Sequence, residues 1–145
     1  MIQDENELQN IPPTGLTKDA GWQIGSRRTF EVSLQQAWDM LTSPEGVKIW
    51  LGDAPGIEFK KGARFKTTQG TCGVIRVVNP GNHMRLTWQP AGWDNVSTLQ
   101  VRLIPNGKKT VISFHQEKLL DANQRQSMRQ RWLGVLDQIQ ALLEM

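Results

Sequence analysis

Two histidines, one cysteine and scattered carboxylates carry whatever acid–base, nucleophilic or metal-binding chemistry this sequence has. His83 and His115 have no His, Cys or carboxylate beside them at ligand spacing, so a standard zinc or iron site is not expected. Cys72 stands alone, cannot form an internal disulfide, and reads as a small hydrophobe rather than a reactive thiol. There is no G-x-S-x-G elbow, no phosphate loop and no dinucleotide fingerprint. Glu31, Asp53 and Glu117 can be pocket acids of a cyclase-like enzyme or plain solvated carboxylates. No cofactor is expected.

The aromatic residues say more. The chain has six Trp, four Phe and no Tyr, and tryptophan both fills cores and lines ligand pockets. Trp93 lies in the loop Pro90-Ala91-Gly92-Trp93-Asp94-Asn95, where it reads equally as a pocket-mouth residue or as core packing. Trp88 and Trp132 each have two readings, core packing and pocket lining. Trp38 and Trp50 read first as core. Basic residues gather at Lys60, Lys61, Arg64 and Lys66 and again at Arg125, Arg129 and Arg131. Without exposed aromatics between them, both groups read as solvated surface and not as a nucleic-acid site.

Something must position these side chains. The 145 residues suggest one domain with room for a sizeable core. No stretch is long enough to span a membrane and the start lacks a signal-peptide layout, so a cytoplasmic protein is expected. Net charge is +3, unevenly spread. Asp4, Glu5, Glu7 and Asp19 against Lys18 give residues 1–20 a net charge of −3, and the rest of the chain carries +6. Residues 1–20, polar and broken by Pro12, Pro13 and Gly15, read as a flexible acidic arm ahead of a folded domain over 21–145.

The longest element is a helix over Ala122–Glu144. Met128, Trp132, Val135, Leu136, Ile139, Leu142 and Leu143 recur at three- and four-residue intervals and line one face. Asp121 caps it, with Gln124 three residues on. Its stripe needs a wide apolar surface, and the strands offer one. A first strand over Ile24–Val32 runs into two short helices, capped by Ser33 and Ser43, the second with Pro44 at its first position. Six strands follow: Gly56–Phe59, Ala63–Thr68, Thr71–Val78, His83–Gln89, Ser97–Ile104 and Thr110–Glu117. Asn106-Gly107 is the strongest hairpin signal. Clean alternation of Met84, Leu86, Trp88 and of Leu99, Val101, Leu103 implies one buried and one wet face. The fold class expected is α+β, a curved antiparallel sheet gripping the C-terminal helix.

This order of elements carries a family's short signatures. They include Thr29-Phe30-Glu31-Val32 before Gln36-Ala37-Trp38, Leu41-Thr42-Ser43-Pro44-Glu45 before Trp50, and Gly62-Ala63-Arg64-Phe65. Gly73-Val74-Ile75, Val78-Asn79-Pro80, Arg85-Leu86-Thr87-Trp88, the strand ending at His115, and Trp132 with the Leu-rich end complete the series. The chain resembles the SRPBCC, or START-like, superfamily with its helix-grip fold, and within it the domains homologous to the heat-shock protein 90 ATPase activator. Met128 and Arg131 stand where members often carry histidine and glycine. The resemblance implies a small apolar or amphipathic ligand held between sheet and helix. It also implies two alternatives, a chaperone-associated interaction domain and a cyclase- or hydratase-like enzyme. The residues expected to line the ligand space are Trp50, Phe65, Trp88, Trp93, Leu99, Val101, Met128, Trp132 and Leu136. Whether that space is open or packed is left undecided, because large rings hold two walls apart as readily as they fill the gap.

Overall fold

In the computed structural model, the described residues are 15–17 and 21–145. Seven strands form one antiparallel sheet: β1 Leu16–Thr17, β2 Gly21–Phe30, β3 Arg64–Lys66, β4 Cys72–Asn79, β5 His83–Trp88, β6 Ser97–Asn106 and β7 Lys109–Leu119. Their spatial order is β1-β2-β7-β6-β5-β4-β3. Helices α1 Leu34–Thr42 and α2 Pro44–Trp50 follow β2, and α3 Ala122–Leu143 closes the chain. This is the expected α+β helix-grip architecture. Of the expected acidic arm, only residues 15–17 are described, and Leu16–Thr17 pair with Trp22 and Gly21; the rest lies outside the described residues.

The short helices form where capping chemistry forces them. Ser33 accepts a hydrogen bond from the Gln36 N–H while the Gln36 side chain accepts from the Ser33 N–H, so both halves of a capping box are present. Ser43 ends α1 and caps α2, its Oγ accepting from the Gly46 N–H at 3.0 Å. The chain thus reverses between α1 and α2 with no spare residue. At α3 the box is only half made. Asp121 accepts from the Gln124 N–H, but the Gln124 Oε1 turns to the Leu120 N–H.

From β3 to β7 the strands follow one another as a meander, which short turns make local. Asn106 pairs with Lys109 around Gly107-Lys108, and Gly107 takes φ +62°, as the first central residue of a type II′ turn requires. Register shifts at Trp22/Ile24 and Ile75/Val77 bend β2 and β4 and add to the sheet's curvature. The concave face carries Ile75, Met84, Leu86, Leu99, Val101, Ile112 and Phe114, all buried, against Met128, Trp132, Val135, Leu136 and Ile139 of α3.

The structure corrects one expected strand. Residues 56–59 form a turn and an extended loop, not a strand. β3 already occupies the sheet edge beside β4, and Phe59 instead packs its ring 6.2 Å from that of Trp50. So Phe59 gains apolar contact without joining the ladder.

Candidate functional site

At the N-terminal end of α3 an open cleft of about 470 Å³ lies between that helix, the end of β5 and the 90–96 loop. Its apolar wall is Trp88, Pro90, Ala91, Trp93, Leu120 and Met128; Gln69, Thr71, Asp121, Asn123, Gln124, Ser127 and Arg131 supply the polar atoms. Three of the expected ligand residues, Trp88, Trp93 and Met128, therefore meet here.

Local chemistry holds the cleft's two sides in place. Trp93 sits edge-on to Trp88, ring centroids 5.7 Å apart. Its carbonyl accepts from Gln89 Nε2 at 2.7 Å, so the loop is pinned to the strand it leaves. Asn95 and Gln124 exchange two amide hydrogen bonds, each 3.0 Å, and tie the loop to the first turn of α3. Asn95 Nδ2 also donates to the carbonyl of Lys118. Lys118 has φ +62°, a left-handed conformation rare for a residue with a side chain, at the bend that carries β7 towards α3.

One layer beneath the cleft the interior is packed. Trp132 stacks on Phe114 at 4.8 Å with planes 7° apart, and lies 6.0 Å from Trp88. Its Nε1 donates to Gln116 Oε1 at 2.9 Å; Gln116 Nε2 in turn donates to Ser97 Oγ. Leu99, Val101 and Leu136 are buried at the same level and do not reach the cleft. Trp50 is also buried elsewhere in the core, its Nε1 on the Leu41 carbonyl at 2.8 Å. Phe65 borders a different shallow groove, on the β3–β4 edge beside half-buried Cys72.

Sequence reasoning missed Arg131, which it placed among solvated basic residues. Its guanidinium carbon lies 5.2 Å from the ring centroids of both Trp88 and Trp132. Nη2 donates to the Trp50 carbonyl at 2.9 Å, while Nε is buried without a partner. Burial holds its pKa below the ordinary arginine value. No carboxylate pairs with it among the described residues. The available signal was spacing: Arg131 follows Met128 by three residues, so the two share a side of α3.

The histidines and candidate acids do not converge on the cleft. His83 Nδ1 lies 2.6 Å from Asn82 Oδ1, and His115 Nε2 lies 3.0 Å from Gln23 Oε1. Glu117 pairs with Arg85 at 3.0 Å and Glu31 with Lys109 at 3.5 Å. Asp53 borders a neighbouring groove that Arg131 also touches. Among the described residues no group of three or more His, Cys, Asp or Glu is placed to hold a metal ion, and no helix is long and apolar enough to cross a membrane.

A curved antiparallel sheet closed over one long C-terminal helix, with a two-helix insert after β2, defines a helix-grip domain of the SRPBCC type. The family model for Activator of Hsp90 ATPase homolog 1-like protein matches residues 31–144, and the chain belongs to that family. No curated protein matches the sequence. Among solved structures, CalU16 from Micromonospora echinospora superposes with a TM-score of 0.70 at 19% identity, over 79% of this chain and 71% of that one. DynU16, from the dynemicin biosynthetic locus, gives 0.76 at 15%, over 85% of this chain and 47% of that one. An HSP90 activator from Plasmodium falciparum gives 0.72 at 15%, over 84% of this chain and 96% of that one. At such identities the likeness shows the fold.

Proposed function

We propose that this chain is a cytoplasmic binding module that takes a small amphipathic molecule into the cleft between Trp88, Trp93 and Met128. The observation that carries this reading is the cleft itself. Its volume of about 470 Å³ suits a drug-sized molecule. Trp93 is half-buried and Leu120 is 61% exposed, so apolar surface stands ready to be covered. Seven polar side chains face six apolar ones across the cleft, a mixed lining that suits an amphipathic molecule and can fix its orientation. Glu31, Asp53 and Glu117 are absent from the lining, and Asp121, which is present, is engaged as a helix cap, so the cleft favours binding over acid–base catalysis.

Titration with N-phenylnaphthylamine, a neutral apolar fluorophore, tests this. Saturable binding is expected, weakened about tenfold in Trp93→Ala, because truncating a central aromatic commonly removes one to two kcal/mol of binding energy. The melting temperature of that variant should fall by only a few degrees, since the half-buried ring loses its edge contact with Trp88 but opens no void in the core. Absence of saturable binding to the parent protein would end the reading.

The family match favours a second reading, a protein-interaction role towards a chaperone. We expect this chain, added at equimolar ratio, to raise a heat-shock protein 90 ATPase rate by less than about twofold. The cleft is a concave small-molecule site, and fold likeness alone does not carry an activity across. A several-fold increase in steady-state ATP hydrolysis would make the chaperone role the leading one.

A further inference from the structure

We infer that the ligand of this cleft is an organic anion, a flat apolar body bearing a carboxylate or comparable oxyanion, and that Arg131 is the residue that receives its charge. This rests on the binding reading above and adds the chemical class. The first support is that Arg131 forms part of the cleft wall without a counter-ion among the described residues. Arginine keeps its charge at neutral pH and offers five donors in a planar fork. Here the Trp50 carbonyl takes one bond, and Nε is buried with none. A buried donor without a partner is costly, so such a group marks a place where a partner belongs.

The second support is the ring system that holds the guanidinium. Trp88 and Trp132 each lie 5.2 Å from it, which fixes the fork in position before any ligand arrives. Tryptophan rings attract a cation through their faces but cannot neutralise it. Trp88, which borders the cleft, also keeps its own Nε1 buried and unpartnered. An oxyanion accepts from the N–H groups a guanidinium fork presents; an alkyl tail or a cation does not.

The acidic groups nearby do not already fill this role. Among the described residues Asp121 is the one carboxylate lining the cleft, and its Oδ1 accepts from the Gln124 N–H at 2.8 Å as the cap of α3. Asp53 shares the adjoining groove with Arg131 but forms no ion pair with it. Pro90, Trp93 and Met128 give the apolar wall against which a flat body would lie.

The test compares two fluorophores with the same ring body. Anilinonaphthalene sulfonate carries an oxyanion, and N-phenylnaphthylamine lacks it. Wild-type protein should bind the sulfonate at least tenfold more tightly. Arg131→Met should erase that preference, bringing the ratio of the two probes' affinities close to one. Arg129→Met removes the same charge from an exposed position on α3 and should leave the preference intact, which separates a local site from the chain's general positive charge. Arg131→Gln is a second neutral variant, and circular dichroism selects those that fold. On wild-type protein alone, the Arg131 Nε–H resonance should shift with the sulfonate and stay with the amine. Equal affinities in wild type, an unmoved resonance, or a preference that survives the loss of Arg131 would overturn the assignment to an anion while the amphipathic cleft still stood. Failure of both probes to bind would instead remove the cleft reading itself.

Discussion

Replacing Trp132 with alanine is expected to remove about 3–5 kcal/mol of unfolding free energy, the cost of emptying a large core site that cannot fully collapse. The ring is fully buried, stacked on Phe114 and in contact with Trp88. Loss of its N–H also leaves Gln116 Oε1 without the bond it now accepts, in a buried pair that extends to Ser97. Since domains are stable by roughly 5–15 kcal/mol, the variant would spend much of its margin. Urea unfolding with an unchanged m-value measures the effect directly. A loss below about 1.5 kcal/mol would show that the space beneath the cleft is already partly empty, and the ligand site would then extend down between sheet and helix.

The second large effect is expected at Gly46. A Cβ built there lies 1.8 Å from the carbonyl oxygen of Met40. That atom is backbone, at the end of α1, and no rotamer can move it away. Relief would require α1 and α2 to separate, breaking the Ser43 bridge that accepts from the Gly46 N–H and donates to the Met40 carbonyl at 2.7 Å. Gly46→Ala should therefore cost about 3 kcal/mol or more, at or beyond the upper end for overpacking. For a chain of this size that is roughly a ten-degree fall in melting temperature. Gly134→Ala is the matched control. Its Cβ meets nothing within 4 Å on α3, and the change should raise stability by up to about 1 kcal/mol through helix propensity. If both variants melt like the parent, the close approach of α1 to α2 is not rigid.

Much of the architecture was legible because it depends on local rules. Ser33 and Gln36 announce a capping box within four residues, and Asn106-Gly107-Lys108-Lys109 announces a hairpin within four. The period of α3's stripe named Met128, Trp132, Val135, Leu136, Ile139, Leu142 and Leu143; the first five are buried, and the last two, in the final turn, are half-buried. Alternation in β5 and β6 likewise gave the buried face of the sheet. The strand expected over residues 56–59 failed for a non-local reason. Phe59 packs against Trp50, at the end of α2, instead of extending the sheet beyond β3.

Which tryptophans face space and which fill it was decided only in three dimensions. Trp88 and Trp132 have the same residue type, comparable patterning and nearly equal burial, yet Trp88 borders the cleft and Trp132 does not. The difference comes from where the 90–96 loop crosses the start of α3, and the Asn95–Gln124 amide pair sets that crossing across a separation of 29 residues. Arg131 is the plainest case. Sequence alone determined a helix-grip domain with a Trp-rich interior and a basic residue beside its stripe. Only the tertiary structure set that cation against two indole rings with no carboxylate pairing it among the described residues. Burial and pairing are properties of the surroundings, and these surroundings come from α2, β5 and α3 together, which only the completed fold brings into contact.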